Sequence, residues 1–384
     1  MSFINFKKGI LNVNSLLFVL MVFIYSTTAA KDVGDENSLI KYVILIVCII
    51  ESYFVYLNKT TKGKNAILKK EFFYLICVIL IICIYSIFKS VYAGFFSFRT
   101  VKELLFLGCP MIYSFFIVNT FDNKIMYDNM KMSFWITFIV YIISLGMNLN
   151  SIINALFSSS FLNSSSALES HVYCGLALAF CVYFCYFDKG KIYKLLSVLF
   201  VFMTFKRLFI VMAFFLFFFS NFKLKDKNVS DKVFYIIVIS LIVFSLFYYI
   251  IIQPENVRYI YNRYNFDLAK FTSTRTDRLN GLLNSSYKSY GFGSSTEYMY
   301  EYLWGALEMD IVKIIIELGY IPAIVLIIMY MKFSNVNYYT FIFMAFQILN
   351  LVFSTSLAGS FTWIMIFMTI GMISKEREIN NEFV

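Results

Sequence analysis

Twelve apolar stretches separated by polar connections constrain this chain more than any other feature of its sequence. A helix needs about 17 to 25 mostly apolar residues to cross the hydrocarbon core of a bilayer, and these stretches reach or approach that length. Backbone groups in hydrocarbon must bond internally, which favours helices. The runs are Val13–Ala30, Leu39–Leu57, Phe72–Phe88, Leu104–Val118, Ser133–Met147, Val172–Phe187, Ile192–Phe205, Leu208–Asn221, Val233–Ile252, Ile311–Met331, Tyr338–Phe353 and Leu357–Ile373.

Composition supports the same class of protein. Of the 384 residues, 60% are hydrophobic and 15% are charged, which is more apolar surface than one soluble core could bury. We therefore predict an all-α, polytopic integral membrane protein with about twelve transmembrane helices, in which residues 1–384 form a single membrane domain.

The basic residues indicate the topology of the chain. The net charge of +10 could suggest a nucleic-acid partner, but the cations are spread between the apolar runs and form no stripe, so no such partner is expected. The segments that end or connect the apolar runs should lie alternately on the two sides of the membrane. The set that includes both ends of the chain carries 19 Lys and Arg, and the short segments of the other set carry seven. Cytoplasmic segments hold the excess of cations. This predicts a multi-pass protein of the cytoplasmic membrane with both termini in the cytoplasm.

Two cations interrupt the apolar stretch VFMTFKRLFIVMAFF. Lysine-rich segments flank it on both sides and favour the cytoplasm, so Lys206 and Arg207 are predicted at the tip of a hairpin entered from that side. Each arm has about 14 residues, or roughly 21 Å of helix, which is less than the thickness of the hydrocarbon core. The pair is therefore either an anion site recessed in the outer leaflet or an ordinary interfacial anchor.

One connection is much longer than the others. Residues 254–310 form an outer segment of about 57 residues, which we predict as a large extracytoplasmic loop carrying short helices. Within it, Arg275 and Arg278 have a spacing that places both on one side of a helix, and guanidinium groups suit phosphate oxygens. The alternative is a solvated amphipathic helix on the membrane surface, balanced by its own acids.

A family resemblance rests on the order of several motifs. The loop carries STRTDRLNGLL, then GFG at Gly291 to Gly293, then EMDIVKIIIELGYIP opening the next run, and TFKRLFIVM lies upstream. This order resembles the oligosaccharide repeat-unit polymerases (Wzy-like) of the O-antigen ligase and polymerase superfamily. The residue patterns extend over roughly Ser164 to Pro322. Where ligases of that superfamily carry a histidine, this chain has Glu308, which favours a polymerase.

The resemblance implies a membrane glycosyltransferase of the GT-C-like type. It would polymerise oligosaccharide repeat units linked to undecaprenyl diphosphate into a capsular or O-antigen-type surface polysaccharide, at the outer face of the bacterial membrane. Its candidate protein partners are chain-length regulators and flippases. We expect Lys206, Arg207, Arg275 and Arg278 to bind the diphosphate.

The remaining candidate site residues are predicted to accept a proton or to bind the glycan. Glu308 and Asp310 are candidate catalytic bases for the acceptor hydroxyl, and their alternative role is ion pairing with the loop arginines. The candidate glycan-binding residues are His171, Glu169, Tyr290 and Tyr298; the first two could instead cap a helix, and the tyrosines could lie at the membrane interface.

No metal or other cofactor is expected, because no clustered carboxylates for a metal occur elsewhere on the predicted outer face. Two alternatives stay open. A glycan ligase of the same superfamily would share the arginines and differ in its acceptor. A lipid-linked oligosaccharide flippase would be expected to show two comparable halves, which are not visible in the sequence.

Overall fold

The computed structural model describes residues 3–30, 39–60, 66–145, 173–188, 191–272, 274–303, 305–354, 357 and 359–382. These residues are overwhelmingly helical, and no strand occurs among them. The helices are α1 Phe3–Ala30, α2 Leu39–Thr60, α3 Lys69–Ala93, α4 Phe98–Thr120, α5 Asn123–Ser144, α6 Tyr173–Phe187, α7 Ile192–Met203, α8 Arg207–Phe219, α9 Asp231–Ile251, α10 Pro254–Tyr264, α11 Leu268–Phe271, α12 Arg275–Leu283, α13 Ser294–Tyr298, α14 Asp310–Leu318, α15 Tyr320–Phe333, α16 Tyr338–Phe353 and α17 Ser360–Glu382.

Every predicted apolar run is helical over most of its described residues, so the helical part of the fold prediction is confirmed. Met147 and Val172, the ends of two runs, lie outside the described residues. By length and apolar character alone, three helices in the described part could cross a membrane: α3, α4 and α9. Seven further apolar helical segments have 10 to 17 residues, and two of these segments are parts of the longer helices α1 and α2. Membrane association is therefore indicated, and the number of twelve spans stays a prediction.

The predicted run Ile311–Met331 is not one continuous helix. Gly319 lies between α14 and α15 with φ 99° and ψ −178°, a backbone conformation that is essentially restricted to glycine. The chain therefore forms two half-helices, and the polar N-terminal half carries Asp310, Lys313 and Glu317. Periodicity of apolar residues does not reveal such a break, because a single glycine in an apolar run is compatible with a continuous helix.

The chain divides into two compact units. The first comprises Met1–Lys69, Cys109–Lys225 and Gly359–Val384, and the second comprises Lys70–Gly108 and Asp226–Ala358. In the first unit, α1 packs against α2 and α5, and α6 packs against α7, α8 and α17. Lys375 donates to the carbonyl oxygens of Val118 (2.9 Å) and Phe121 (2.8 Å), where a cation offsets the negative end of helix α4.

The second unit contains the predicted outer loop. Its apolar frame includes α9, α15 and α16, and α14 packs against α15 and α16. The loop itself folds into α10 to α13, followed by a π-helical turn at Met299–Leu303, so the predicted short helices are confirmed. Thr276, Leu279 and Leu282 are buried on one side of α12, which fixes the rotation of that helix and thereby the direction of its arginines.

Candidate functional site

The Gly-x-Gly turn of the second unit binds a buried carboxylate. The backbone N–H of Gly293 donates to Oε2 of Glu317 at 2.8 Å, and the backbone N–H of Ser295 donates to Oε1 at 2.8 Å. The Ser295 hydroxyl also donates to Oε1, at 2.6 Å. Glu317 is completely buried. Backbone N–H groups that converge in this way form an anion-binding concavity, and here a side chain of α14 fills it.

The local sequence of the turn explains this geometry. Gly291 and Gly293 have φ of 133° and 92°, values that residues with a side chain rarely adopt. A Cβ atom on Gly293 would lie 2.7 Å from Cγ of Glu103, and one on Gly291 would lie 3.3 Å from the carbonyl oxygen of Ser86. The two glycines therefore allow close approach as well as the turn itself.

A buried ion group lies beside the turn. Nζ of Lys313 is 3.4 Å from Oε2 of Glu103, and Nη2 of Arg99 is 2.9 Å from Oε1 of the same carboxylate. Lys313 and Glu103 are almost fully buried. Nζ of Lys313 also lies 5.0 Å from the centroid of the Phe292 ring, within the range of a cation–π contact. The group thus links α4, α14 and the Gly-x-Gly turn.

Sequence reasoning did not assign Glu103, Lys313 or Glu317 to the site. Each is a charged residue in or next to an apolar run, which is the pattern that marks a functional or ion-paired position inside a membrane protein. That signal was present for all three residues. Their partners could not be identified, because Glu103 and Lys313 are separated by 210 residues of sequence.

The structure brings Arg275, Arg278 and Glu308 together. Nη1 of Arg278 donates to Oε1 of Glu308 at 2.8 Å, and Nε of Arg275 lies 3.4 Å from Oε2. Arg278 also donates to the carbonyl oxygen of Ala306 at 3.1 Å. The side chains of Arg275, Arg278 and Glu308 are 18%, 36% and 33% exposed. We name these three residues the arginine–Glu308 cluster.

This cluster combines two predicted roles. The sequence predicted the arginines as diphosphate ligands and Glu308 as a base or an ion-pair partner, and the ion pairs are present. Two guanidinium groups and one carboxylate leave a net positive charge, and the partial exposure lets a ligand reach it. Because a guanidinium has five N–H donors, the pairing with Glu308 leaves donors for a second anion.

Asp310 has a different environment from Glu308. It is 3% exposed, and its Oδ2 accepts a hydrogen bond of 2.6 Å from the backbone N–H of Leu357. It is also the first residue of α14, where a carboxylate interacts favourably with the positive end of the helix. Asp310 therefore holds the segment after α16 against the start of α14.

Lys206 and Arg207 belong to the first unit. They follow α7 and open α8, two helices of 12 and 13 residues that pack against each other. The two helices and the turn between them are therefore present, and their entry from the cytoplasmic side stays a prediction. Phe205, with φ 56°, forms the turn before them. Both cations are half-buried, and Nζ of Lys206 lies 5.7 Å from the centroid of the Phe209 ring. Their predicted role in binding a diphosphate stays a prediction.

The candidate glycan-binding residues divide into two groups. His171 and Glu169 lie outside the described residues. The Tyr290 hydroxyl donates to Glu297 at 2.5 Å, and burial together with this carboxylate raises the pKa of Tyr290. The Tyr298 side chain is half-buried, and the centroid of its ring lies 4.8 Å from that of Tyr302. Hydrogen bonds with Ser285 and Ser286 lower the pKa of Tyr298.

Comparison with models of known protein families finds no match, and comparison with curated proteins finds no similar protein. The resemblance drawn from the order of the motifs therefore stays a prediction. In the described part of the chain, no group of three or more His, Cys, Asp or Glu side chains is arranged to hold a metal ion. The expectation of metal-independent chemistry likewise stays a prediction.

Proposed function

We propose that this protein is a membrane glycosyltransferase that polymerises oligosaccharide repeat units linked to undecaprenyl diphosphate. It spans the cytoplasmic membrane with about twelve helices, and the loop of residues 254–310 faces outward. The observation that carries the proposal is the arginine–Glu308 cluster, which offers two guanidinium groups and a partly exposed carboxylate at the point where the loop returns to an apolar helix.

The reaction joins two lipid-linked glycans. A hydroxyl of the acceptor glycan attacks the anomeric carbon of the donor glycan and forms the new glycosidic bond. The bond between that carbon and the diphosphate breaks, and undecaprenyl diphosphate leaves with the electron pair. The hydroxyl proton passes to a carboxylate. Negative charge grows on the leaving diphosphate, so fixed cations beside it stabilise the transition state.

Arg275 and Arg278 are the proposed ligands of the diphosphate. They can bind its oxygens through paired N–H donors, as guanidinium groups do with phosphates. The diphosphate then competes with Glu308 for the same donors. Glu308, released from its ion pairs, accepts the proton of the acceptor hydroxyl as general base. Lys206 and Arg207, which belong to the first unit, are proposed separately as cations that bind a diphosphate.

The test is deletion of the protein followed by analysis of the lipid-linked glycans. Accumulation of single repeat units on undecaprenyl diphosphate at the outer leaflet is the expected result. Long lipid-linked chains that stay unattached to their final acceptor would instead identify a ligase. Repeat units trapped on the cytoplasmic leaflet would identify a flippase, and either outcome would overturn the proposal.

A further inference from the structure

A cavity of about 440 Å³ lies within the loop of the second unit, bordered by α10, α11 and α12. Small-molecule sites in proteins have volumes of about 300 to 1,000 Å³ and combine apolar walls with a few polar groups. Here the apolar lining includes Leu268 and the ring of Tyr261. The polar lining consists of Arg258, Asp267, Asn280 and Asn284. We name this cavity the loop groove.

The charges of the loop groove favour a neutral ligand. Its one cation, Arg258, and its one anion, Asp267, cancel formally. This differs from the arginine–Glu308 cluster, where two cations face one anion. The groove offers donors and acceptors of both kinds together with an apolar, partly aromatic wall. A sugar ring presents hydroxyl groups at its edge and C–H groups on its face, so it matches both walls.

The two asparagines are placed to act together. Asn280 lies on α12, and Asn284 is the residue that directly follows this helix with a backbone still in the right-handed helical region (φ −85°, ψ −4°). Because the two asparagines are four residues apart, they lie on the same side. They lie on a different side from Arg275 and Arg278, which engage Glu308. Oδ1 of Asn280 is buried and has no hydrogen-bond partner among the described residues. A buried polar atom normally has a hydrogen-bond partner. Oδ1 of Asn280 can therefore accept a hydrogen bond from a hydroxyl group of a ligand.

We propose that the loop groove is a carbohydrate subsite that binds uncharged sugar residues of the glycan, with Asn280 and Asn284 as the principal hydrogen-bonding residues. The inference rests on the proposed function and specifies where the glycan, as distinct from the diphosphate, is held. Tyr261 stacks on the ring face, and Arg258 and Asp267 bond to hydroxyl groups at the rim.

The experiment measures binding of a sugar directly. The full-length protein is purified in detergent, and the probe is a fluorescently labelled, uncharged oligosaccharide prepared by partial hydrolysis of the surface polysaccharide of the cells that make the protein. Combined Asn280→Ala and Asn284→Ala substitutions are expected to weaken binding by about tenfold or more, because two hydrogen bonds to the ligand are lost. Asn284→Ala alone, at an exposed position, is expected to give part of this loss without affecting the packing of α12.

Asn262→Ala is the matched control, because Asn262 is exposed on α10 and does not line the groove; its affinity should equal that of the unsubstituted protein. Unchanged affinity in the double and the single groove variants would overturn the inference. Displacement of the probe by inorganic pyrophosphate would also overturn it, since the groove would then be an anion site. Failure of the proposed function has a separate sign, namely normal lipid-linked glycans after deletion of the protein despite intact sugar binding.

Discussion

The carboxylate of Glu317 is held by the backbone N–H of Gly293, at 2.8 Å, inside the second unit. This contact connects two motifs that are 24 residues apart, the Gly-x-Gly turn and the Glu-Leu-Gly end of α14. The two motifs therefore stabilise each other's position. The turn fixes α14, and α14 presents Lys313 to Glu103 and begins two residues after Glu308.

Replacement of Glu317 by glutamine should destabilise the second unit. A glutamine has only one acceptor oxygen for the donors of Gly293 and Ser295, and its NH₂ group would face an N–H donor. Leaving buried donors unsatisfied costs about 1 to 3 kcal/mol each. Thermal unfolding in detergent and the rate of proteolysis within residues 254–310 measure the effect. Glu301→Gln, at an exposed position of the π-helical turn, is the control, and equal stability of the two variants would contradict this role of Glu317.

Gly293→Ala should lower the stability of the protein, and Gly281→Ala should raise it. At Gly293 the new Cβ would approach Cγ of Glu103 to 2.7 Å and the positive φ would be strained, so stability should fall. At Gly281 a Cβ meets nothing within 4 Å on an exposed position of α12. There, alanine should raise stability by about 0.5 to 1 kcal/mol, because glycine is a poor helix former. Unfolding midpoints of the two variants provide the comparison, and a loss at both positions would refute it.

Lys313 and Glu103 should contribute to the stability of the protein as a pair. Among the ion pairs of the described part of the chain, Lys313→Met leaves the buried Glu103 carboxylate with Arg99 as its remaining cation. Removing one partner of a buried pair costs roughly 3 to 5 kcal/mol of stability. Adding Glu103→Gln should recover part of the loss. A double-mutant cycle on thermal stability measures the coupling. Strictly additive effects would show that the two side chains do not depend on each other.

Arg278, which pairs with Glu308, should also bind a diphosphate. Inorganic pyrophosphate is expected to raise the unfolding temperature of the unsubstituted protein by mass action. The shift should largely disappear in Arg278→Ala, and Arg278→Lys should retain only part of it because a point charge does not reproduce the paired donors. Arg263→Ala, at an exposed position of α10, is the control and should keep the full shift. An unaltered shift in Arg278→Ala would remove Arg278 from the anion site.

The topology predicted from the cations can be tested by labelling. A cysteine in place of Lys288, which is exposed in the loop, should react with a membrane-impermeant maleimide in intact cells. A cysteine in place of Lys227, also exposed, should react only after the membrane is opened. The unsubstituted protein, with its own seven cysteines, supplies the background. Reversed labelling of Lys288→Cys and Lys227→Cys would invert the orientation and remove the outer-face site.

The hydropathy pattern predicted where the apolar helices of this protein lie. The length of an apolar stretch is a local property, and each predicted run is helical, in one case as two helices, because a helix satisfies its backbone groups without any other segment. The predicted hairpin at Lys206 and Arg207 and the short helices of the loop have the same local origin. The break at Gly319 was not predicted, since one glycine in an apolar run is compatible with a continuous helix.

The contacts between distant charges were decided only by the tertiary structure. Arg275 and Arg278 were recognised from their spacing, but only the folded loop sets them against Glu308, about 30 residues further along the chain. Lys313, Glu103 and Glu317 were visible as charges in or beside apolar runs, yet no local pattern specifies their partners. Such pairs form because a buried charge must find an opposite charge or a hydrogen-bond donor, and the route of the chain determines which one lies within reach.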